Sequence, residues 1–282
     1  HMPKASEQAD SESDFLFDEF IVMISWRVDH LIIKKIAKKR KLRLLDINLI
    51  KKKLAADNSF NYSDFQLKNL SMAIAAAKIC NLNEKKIINS LSQIKDVNGR
   101  LELVKIFTNN VRVFVDFAHT PDALFKSIQA LKKFYGENIS VVFGCGGDRD
   151  KQKRSKMAKV VSENCKKIYV TDDNPRNERP EKIRQEIIKN IKNRIFSNIG
   201  NRKKAIKTAI LNADPNEVIL IAGRGHEDKQ IYKNKILFLS DKQIIKKLNI
   251  NTLKLSRKNL NYFENEKIIK IINNKIKIKD FH

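Results

Sequence analysis

The pattern of apolar and polar positions becomes regular near residue 110. Beyond it, continuous apolar runs of strand length alternate with longer segments whose apolar residues recur at helical spacing. The apolar runs are VRVFVDF, ISVVFG, KKIYVT and EVILIAG. The helical segments lie at 120–134, 155–165, 179–191 and 202–213, the first with Thr120 as N-cap and Pro121 at its first position. This alternation predicts an α/β domain with a Rossmann-like, mostly parallel sheet that helices cover on both faces.

The first hundred residues are harder to interpret. FIVMISW at 20–26 is compatible with a strand, and residues 30–48 predict a basic helix followed by a short strand. Residues 65–80 predict a helix, because their apolar positions recur at helical spacing and include a cluster of alanines. Asn83 is expected to cap a further helix, and Gly99 to turn the chain into a strand.

These patterns divide the chain into four parts. A domain boundary is expected near 105–111, where IFTNN separates two apolar strands. The polar start is expected to be disordered and begins with the His-Met typical of a cloning scar, and no function can be read in the basic end. The predicted parts are residues 1–14, 15–108, 109–250 and 251–282.

Each strand of the regular region runs directly into a polar loop. These loops read DFAHTPD, GCGGDRDKQKR, DDNPRNERP and GRGHEDKQ. In an open parallel sheet the carboxyl ends of the strands share one edge, where ligands bind. The sequence therefore predicts that the four loops converge on one crevice, which points to a binding site more strongly than any single loop does.

Charge and composition narrow the functional classes. Lys and Arg total 57 against 32 Asp and Glu, for a net charge of +25, but the excess is spread along the chain and shows no basic stripe interleaved with aromatics. No specific nucleic-acid partner is expected. No apolar run approaches the ~20 residues of a membrane helix, so no membrane partner is expected either. Three widely spaced cysteines suggest neither a disulfide framework nor a zinc site, and a cytoplasmic location fits best.

Each loop also has a purely structural interpretation. The glycines of GCGGDRD could form a plain turn, and the chain contains no G-x-x-x-x-G-K-[ST] loop. DDNPR could be a turn stiffened by proline, or a turn that lets Arg176 grip a carboxylate. GRGHE could be a turn with an exposed glutamate. In DFAHTPD the helix cap accounts for Thr120 but leaves Asp116 and His119 unexplained.

Taken together, five motifs carry a family resemblance. NGRLE, VDFAHTPDAL, VFGCGGDRDKQKR, TDDNPRNERP and IAGRGHEDKQ, in this order, resemble the C-terminal part of the Mur ligases, over residues 62–248. Residues 31–48 resemble a piece of that family's central domain more weakly. The resemblance implies that 15–108 is a partial central domain and that 109–250 is the C-terminal, amino-acid-binding domain.

The resemblance also implies an activity in peptidoglycan synthesis. It suggests an ATP- and Mg²⁺-dependent ligase that adds meso-diaminopimelate to UDP-MurNAc-L-Ala-D-Glu through an acyl phosphate. Arg100 corresponds to the residue that reaches the nucleotide phosphates, and Asp116 to the one that contacts the ribose. His119 lies in the same nucleotide-facing loop. No catalytic residue and no metal ligand is assigned within this chain.

The same resemblance implies contacts to the amino acid. They fall on residues of three loops, namely Arg149, Asp173, Asn174, Pro175, Arg176, Gly223 and Glu227. The far end of meso-diaminopimelate carries a carboxylate and an ammonium, so its pocket needs an arginine for one and acids for the other. Arg176 is therefore expected to bind the carboxylate.

The sequence departs from the family in what precedes residue 60. The glycine-rich ATP loop, the Mg²⁺-binding residues and the uridine-binding domain are not found there, so we expect a truncated chain that is inactive alone. Two alternatives stay open: a non-catalytic binding or scaffold remnant of the fold, and a basic nucleic-acid-binding module. Small departures, such as AGRGHE for AGKGHE, keep charge and size.

Overall fold

A computed structural model describes residues 20–22, 30–56, 62–94, 97–192, 195–248, 268–272 and 275–279. The chain forms two compact units, the first ending at Lys95 and the second beginning at Asp96. The predictions for residues 1–14 and for the end of FIVMISW lie outside the described residues. None of the described helices is long and apolar enough to cross a membrane.

The first unit is mainly helical. Its elements are β1 (Phe20–Val22), α1 (His30–Lys39), β2 (Arg43–Leu45), α2 (Asn48–Ala56), α3 (Asp64–Ile79) and α4 (Glu84–Leu91). The strands β1 and β2 pair in parallel. The helix and strand predicted over 30–48 and the helix predicted over 65–80 are present. Asn83 caps α4 as expected, because its side chain accepts a hydrogen bond from the backbone N–H of Lys86 at 3.2 Å.

The second unit carries the predicted α/β fold. Its elements are β3 (Glu102–Ile106), β4 (Arg112–Asp116), α5 (Pro121–Tyr135), β5 (Ile139–Phe143), α6 (Gln152–Asn164), β6 (Lys167–Val170), α7 (Pro180–Ile188), β7 (Ile195–Asn198), α8 (Arg202–Leu211), β8 (Val218–Ala222), β9 (Lys229–Tyr232), β10 (Lys235–Phe238), α9 (Asp241–Lys247), β11 (Ile268–Ile272) and β12 (Lys275–Lys279). The strand pairs β9–β10 and β11–β12 are antiparallel. Thr120 caps α5 as predicted, by accepting from the N–H of Ala123 at 3.3 Å.

The described strands of this unit include a six-stranded sheet in the order β3-β4-β8-β5-β6-β7. Five of these strands run parallel, namely β4, β8, β5, β6 and β7. The edge strand β3 is antiparallel to β4. The prediction of a mostly parallel α/β sheet is confirmed. The predicted domain boundary at 108/109 falls between β3 and β4, however, whereas the structure divides the chain at 95/96. The reason is that β3 pairs with β4 and so belongs to the sheet.

Helices cover both faces of the sheet. On one face α5, α6 and α7 pack on the strands through residues such as Leu124, Met157 and Ile187. On the other, α8 and α9 pack through residues such as Ile206 and Ile245. Every residue of β5 and of β8 is buried, because successive side chains of a central strand enter opposite cores. This explains why these strands appear in the sequence as continuous apolar runs.

An ionic cluster around a buried glutamate lies at the amino edge of this sheet. Glu217, just before β8, is fully buried and accepts hydrogen bonds from Ser140 Oγ, Lys167 Nζ and the N–H of Asp214. Lys167 Nζ lies 2.9 Å from Glu217 Oε2 and 3.0 Å from Asp214 Oδ2. Burial acts to lower the pKa of Lys167, but these two acids outweigh it and raise the pKa.

Removing the basic partner of the buried Glu217 should destabilise the fold strongly. Lys167→Met would leave Glu217 charged and unpaired, which should lower the free energy of unfolding by roughly 3–5 kcal/mol. The ammonium of its neighbour Lys166 pairs with the half-exposed Asp214, at 3.1 Å, so Lys166→Met should lower the free energy of unfolding by about 1 kcal/mol or less. Urea titrations at pH 7 measure both. Two equally small losses would contradict this account of the cluster.

The pH at which this stabilisation fails follows from the sign of the pKa shift. A lysine whose pKa is raised on folding stabilises fully below its unfolded pKa of about 10.4, and the contribution is lost as pH rises through the folded value. The difference in the free energy of unfolding between Lys167→Met and the native chain should therefore be constant around neutral pH.

Candidate functional site

Polar loops meet at the carboxyl edge of the sheet. Strands β4, β8, β5 and β6 are successive neighbours, and the loops that follow them surround a cavity of about 400 Å³. A cavity of this volume falls in the range of small-molecule sites. The lining residues are Phe117, His119, Thr120, Pro121, Gly144, Gly146, Arg149, Asp150, Lys153, Asp173, Asn174, Arg176, Gly223 and Glu227. The predicted convergence of the four loops is confirmed.

Seven of the ten residues predicted from the sequence line this cavity. They are His119, Arg149, Asp173, Asn174, Arg176, Gly223 and Glu227. The other three, Arg100, Asp116 and Pro175, lie outside the lining. Pro175 is buried, and its carbonyl oxygen occupies the space that a side chain at Gly147 would need. Gly147 is therefore required for the close packing of the β5–α6 loop on the β6–α7 loop.

Asn174 joins the loops around the cavity. Its Nδ2 donates to Glu227 Oε2 at 3.0 Å, and its Oδ1 accepts from the N–H of Ile231 in β9 at 2.9 Å. Its carbonyl oxygen accepts from the N–H of Gly147 at 2.9 Å. Asn174 is buried, so these bonds replace those that it would make with water. The side chain of Glu227 is thereby oriented at the cavity wall.

One carboxylate of the cavity is only half satisfied. Asp173 Oδ1 accepts from the N–H of Asn174 at 2.7 Å, while Asp173 Oδ2 is buried and has no hydrogen-bond partner among the described residues. Gly223, at φ +115°, lies against it: a Cβ built there would be 2.6 Å from Asp173 Oδ2. A buried carboxylate oxygen without a donor is energetically costly, and a hydrogen-bond donor brought by a ligand would remove that cost.

Arg176 adopts a conformation that is uncommon for a residue with a side chain. Its φ is +51°, in the left-handed region. Two contacts hold it there: its N–H donates to the carbonyl oxygen of Ile231 at 3.0 Å, and its Nη1 donates to that of Gly147 at 3.0 Å. Nε and Nη2 have no partner among the described residues and remain available to a ligand. Backbone strain of this kind concentrates at functional sites.

The sequence did not predict the side chains that hold the DDNPR loop in place through hydrogen bonds. Gln230 Nε2 donates to two successive carbonyl oxygens, those of Asp172 at 3.1 Å and Asp173 at 2.6 Å. The Asp172 carboxylate accepts from the hydroxyl of Tyr232 at 2.9 Å and from Arg184. Burial raises the pKa of Asp172 despite Arg184. Two successive aspartates in the sequence were the sign that could have indicated these contacts. Asp172 supports the loop, and Asp173 lines the cavity.

The residues assigned to the nucleotide cluster around one aromatic ring. The guanidinium of Arg100 lies 4.3 Å from the centroid of the Phe117 ring, and the His119 ring packs edge-on against it at 4.7 Å. Asp116 is buried and accepts from the N–H groups of Leu101 and Phe117 and from Ser127 Oγ. Burial raises the pKa of Asp116, outweighing these donors.

No metal site is visible in the described part of the chain, since no group of three or more His, Cys, Asp or Glu residues there could hold an ion.

Known proteins similar to this chain are ligases. Residues 99–225 match the family model for the Mur ligase, glutamate ligase domain. The chain is 43% identical over 185 residues to the UDP-N-acetylmuramoyl-L-alanyl-D-glutamate--2,6-diaminopimelate ligase of Rickettsia montanensis, which covers 65% of this chain and 38% of that protein. A ligase of the same name from Buchnera aphidicola subsp. Schizaphis graminum is 38% identical over 185 residues, covering 65% of this chain and 37% of the relative.

A solved structure of a ligase with this name is similar as well. It is 29% identical with a TM-score of 0.50, and the match covers 66% of this chain and 39% of that one. The chain thus spans less than two fifths of the length of the relatives and of this structure.

A side chain at position 223 should disturb Asp173. Gly223→Ala combines the strain of a positive φ with a clash against Asp173 Oδ2, so it should lower the free energy of unfolding by several kcal/mol, roughly 1–3 of them from the clash. Gly136→Ala is the matched control, because Gly136 also has a positive φ, +84°, but open space around a built Cβ. Chemical denaturation measures both, and equal losses would show that Asp173 moves aside freely.

Proposed function

We propose that this chain, which belongs to the Mur ligase family through residues 99–225, provides the amino-acid-binding part of an ATP-dependent ligase that joins meso-diaminopimelate to UDP-MurNAc-L-Ala-D-Glu. The reaction would serve peptidoglycan synthesis and pass through an acyl phosphate. We further propose that the first unit is part of the family's central domain, on the similarity of residues 31–48.

One observation carries the proposal. Asp173, whose buried Oδ2 has no partner among the described residues, lines a cavity that also contains Arg176 with free guanidinium donors. An ammonium group would supply the missing donor to Asp173, and a carboxylate would accept from Nε and Nη2 of Arg176. The distal end of diaminopimelate carries both groups on one carbon. The names of the relatives include the same amino acid.

The charges of the cavity suit such a zwitterion. Its lining has three basic side chains, Arg149, Lys153 and Arg176, and three acidic ones, Asp150, Asp173 and Glu227. Glu227 is held by Asn174 at the same wall as Asp173, so the two acids can share an ammonium. We propose that Arg149 assists Arg176 with the distal carboxylate. Asn174 and Pro175 contribute by fixing the two loops, and Gly223 by leaving room for Asp173.

We assign the nucleotide side to Arg100, Asp116 and His119. The fit is partial. Arg100 and His119 are exposed beside the Phe117 ring, and an exposed cation next to an aromatic face suits a nucleotide. Asp116 already accepts three hydrogen bonds from the protein, so it would contact a ribose hydroxyl only through its remaining lone pairs. ATP would supply the phosphoryl group that activates the acceptor carboxylate. The described residues offer no group of His, Cys, Asp or Glu side chains that could hold Mg²⁺.

Removing the guanidinium of Arg176 should abolish the preference for meso-diaminopimelate over lysine, because this preference depends on the distal carboxylate. Loss of one partner of a desolvated charge pair typically costs roughly 2–5 kcal/mol, so Arg176→Ala should weaken binding of meso-diaminopimelate by one to several decades. Lysine lacks the carboxylate and should bind the native chain worse by a similar margin. Isothermal titration calorimetry with both amino acids measures these differences.

Arg179→Ala serves as the control, since it removes the same charge from an exposed position three residues further on. It should leave both affinities unchanged. The assignment is refuted if the native chain binds lysine and meso-diaminopimelate equally, or if Arg176→Ala still discriminates between them.

A further inference from the structure

An arginine with no exposure to solvent lies directly behind the acidic wall of the cavity. Arg224 stands in the loop between Gly223 and Glu227, and its side chain is fully buried. Its Nη2 donates to the carbonyl oxygen of Leu239 at 2.8 Å. Its Nε and Nη1 have no hydrogen-bond partner among the described residues. Such a group is unusual in a protein interior, where buried charges are normally paired.

The nearest ion pair does not neutralise Arg224. Arg202 and Asp241 are both fully buried and form a two-pronged pair, with Nε–Oδ1 at 2.9 Å and Nη2–Oδ2 at 2.7 Å. Arg224 Nη1 lies 3.8 Å from Asp241 Oδ1, beyond hydrogen-bond distance. Two guanidinium groups therefore share one carboxylate. Burial, followed by Arg202, lowers the pKa of Arg224, but a guanidinium stays protonated in proteins, so one positive charge is left over.

The remaining counter-charges of Arg224 are the two acids of the cavity. Its Nε lies 3.9 Å from Glu227 Oε2, and Asp173 also acts on its charge. The same two carboxylates are those that would receive the ammonium of the ligand. Arg224 and a ligand ammonium thus lie on opposite sides of one acidic wall, and like charges across it repel each other.

We propose that Arg224 is a specificity-determining residue: its buried charge, which has no close acidic partner of its own, disfavours a ligand whose distal end is a lone ammonium and favours one that also carries a carboxylate. The inference rests on the proposed function, because it assumes that the amino acid's distal end enters this cavity. The six charged side chains that line the cavity sum to zero, three against three, so the charge of Arg224 behind the wall adds a positive contribution to the potential there.

The test compares selectivity, which a purely structural role would not change. Isothermal titration calorimetry on the 282-residue chain gives the affinity ratio of meso-diaminopimelate to lysine. Arg224→Met should lower this ratio on the order of tenfold, the effect that Coulomb's law gives for unit charges roughly 10 Å apart at an effective dielectric constant near 20. Arg224→Lys keeps the charge and should keep the ratio. Lys229→Met removes the same charge from an exposed site in β9 and should also keep it.

A second measurement needs no variant and decides the matter if Arg224→Met does not fold. In the native chain, 2-aminopimelate, which has the distal carboxylate alone, should bind more tightly than lysine, which has the distal ammonium alone. An unchanged ratio in a folded Arg224→Met, or lysine binding at least as tightly as 2-aminopimelate, overturns the role of Arg224 while leaving the proposed function intact. A native chain that does not bind meso-diaminopimelate overturns both.

Discussion

Asn174 uses every polar group it has to join the segments that form the cavity. Its amide nitrogen holds Glu227, its amide oxygen receives the N–H of Ile231, and its backbone N–H binds Asp173 Oδ1. Its carbonyl oxygen accepts from the N–H of Gly147 and, at 3.3 Å, from Nη1 of Arg176. Three loops that are far apart in sequence therefore depend on one buried residue for their relative position. Aspartate could not replace it, because the contact with Glu227 needs a donor.

The geometry divides the residues of the DDNPR motif between two roles. The motif invites the interpretation that every polar side chain faces the ligand. Asp172 and Asn174 bind protein groups, whereas Asp173 and Arg176 line the cavity and each keep polar atoms without a protein partner among the described residues. Pro175 packs on Gly147, where only glycine fits. A loop that holds two opposite charges in fixed positions at a cavity wall depends on such internal contacts.

The sequence predicts the parallel sheet and the convergence of its loops because both follow from local patterns. Continuous apolar runs identify strands that are buried on two faces, and polar loops after parallel strands share an edge. Strand β7 was not predicted, since it lies at the edge of the sheet and three of its four residues are exposed. The burial of Arg202 could not be predicted from the sequence, because it depends on Asp241, 39 residues later, and such a pair leaves no local pattern.

The acids at the two edges of the sheet have pKa values shifted in opposite directions. At the amino edge, burial acts to raise the pKa of Asp214, but Lys167 and Lys166 outweigh it and lower the pKa. A depressed acid pKa stabilises the fold above the unfolded value of about 3.9 and stops doing so as pH falls through the folded value. At the carboxyl edge, burial raises the pKa of Asp116 and of Asp172.

A raised acid pKa has the reverse consequence. Its stabilising contribution is complete below the unfolded value and is lost as pH rises through the folded one, so at neutral pH Asp116 and Asp172 weaken the fold. Together with the unpaired Asp173 Oδ2 and the surplus charge of Arg224, they place the destabilising electrostatics of this unit at its carboxyl edge. At the amino edge the acids are paired with lysines, and these pairs offset part of the lost stability. Such an asymmetry is what a fold requires if it is to hold charges ready for a ligand at one end of its sheet.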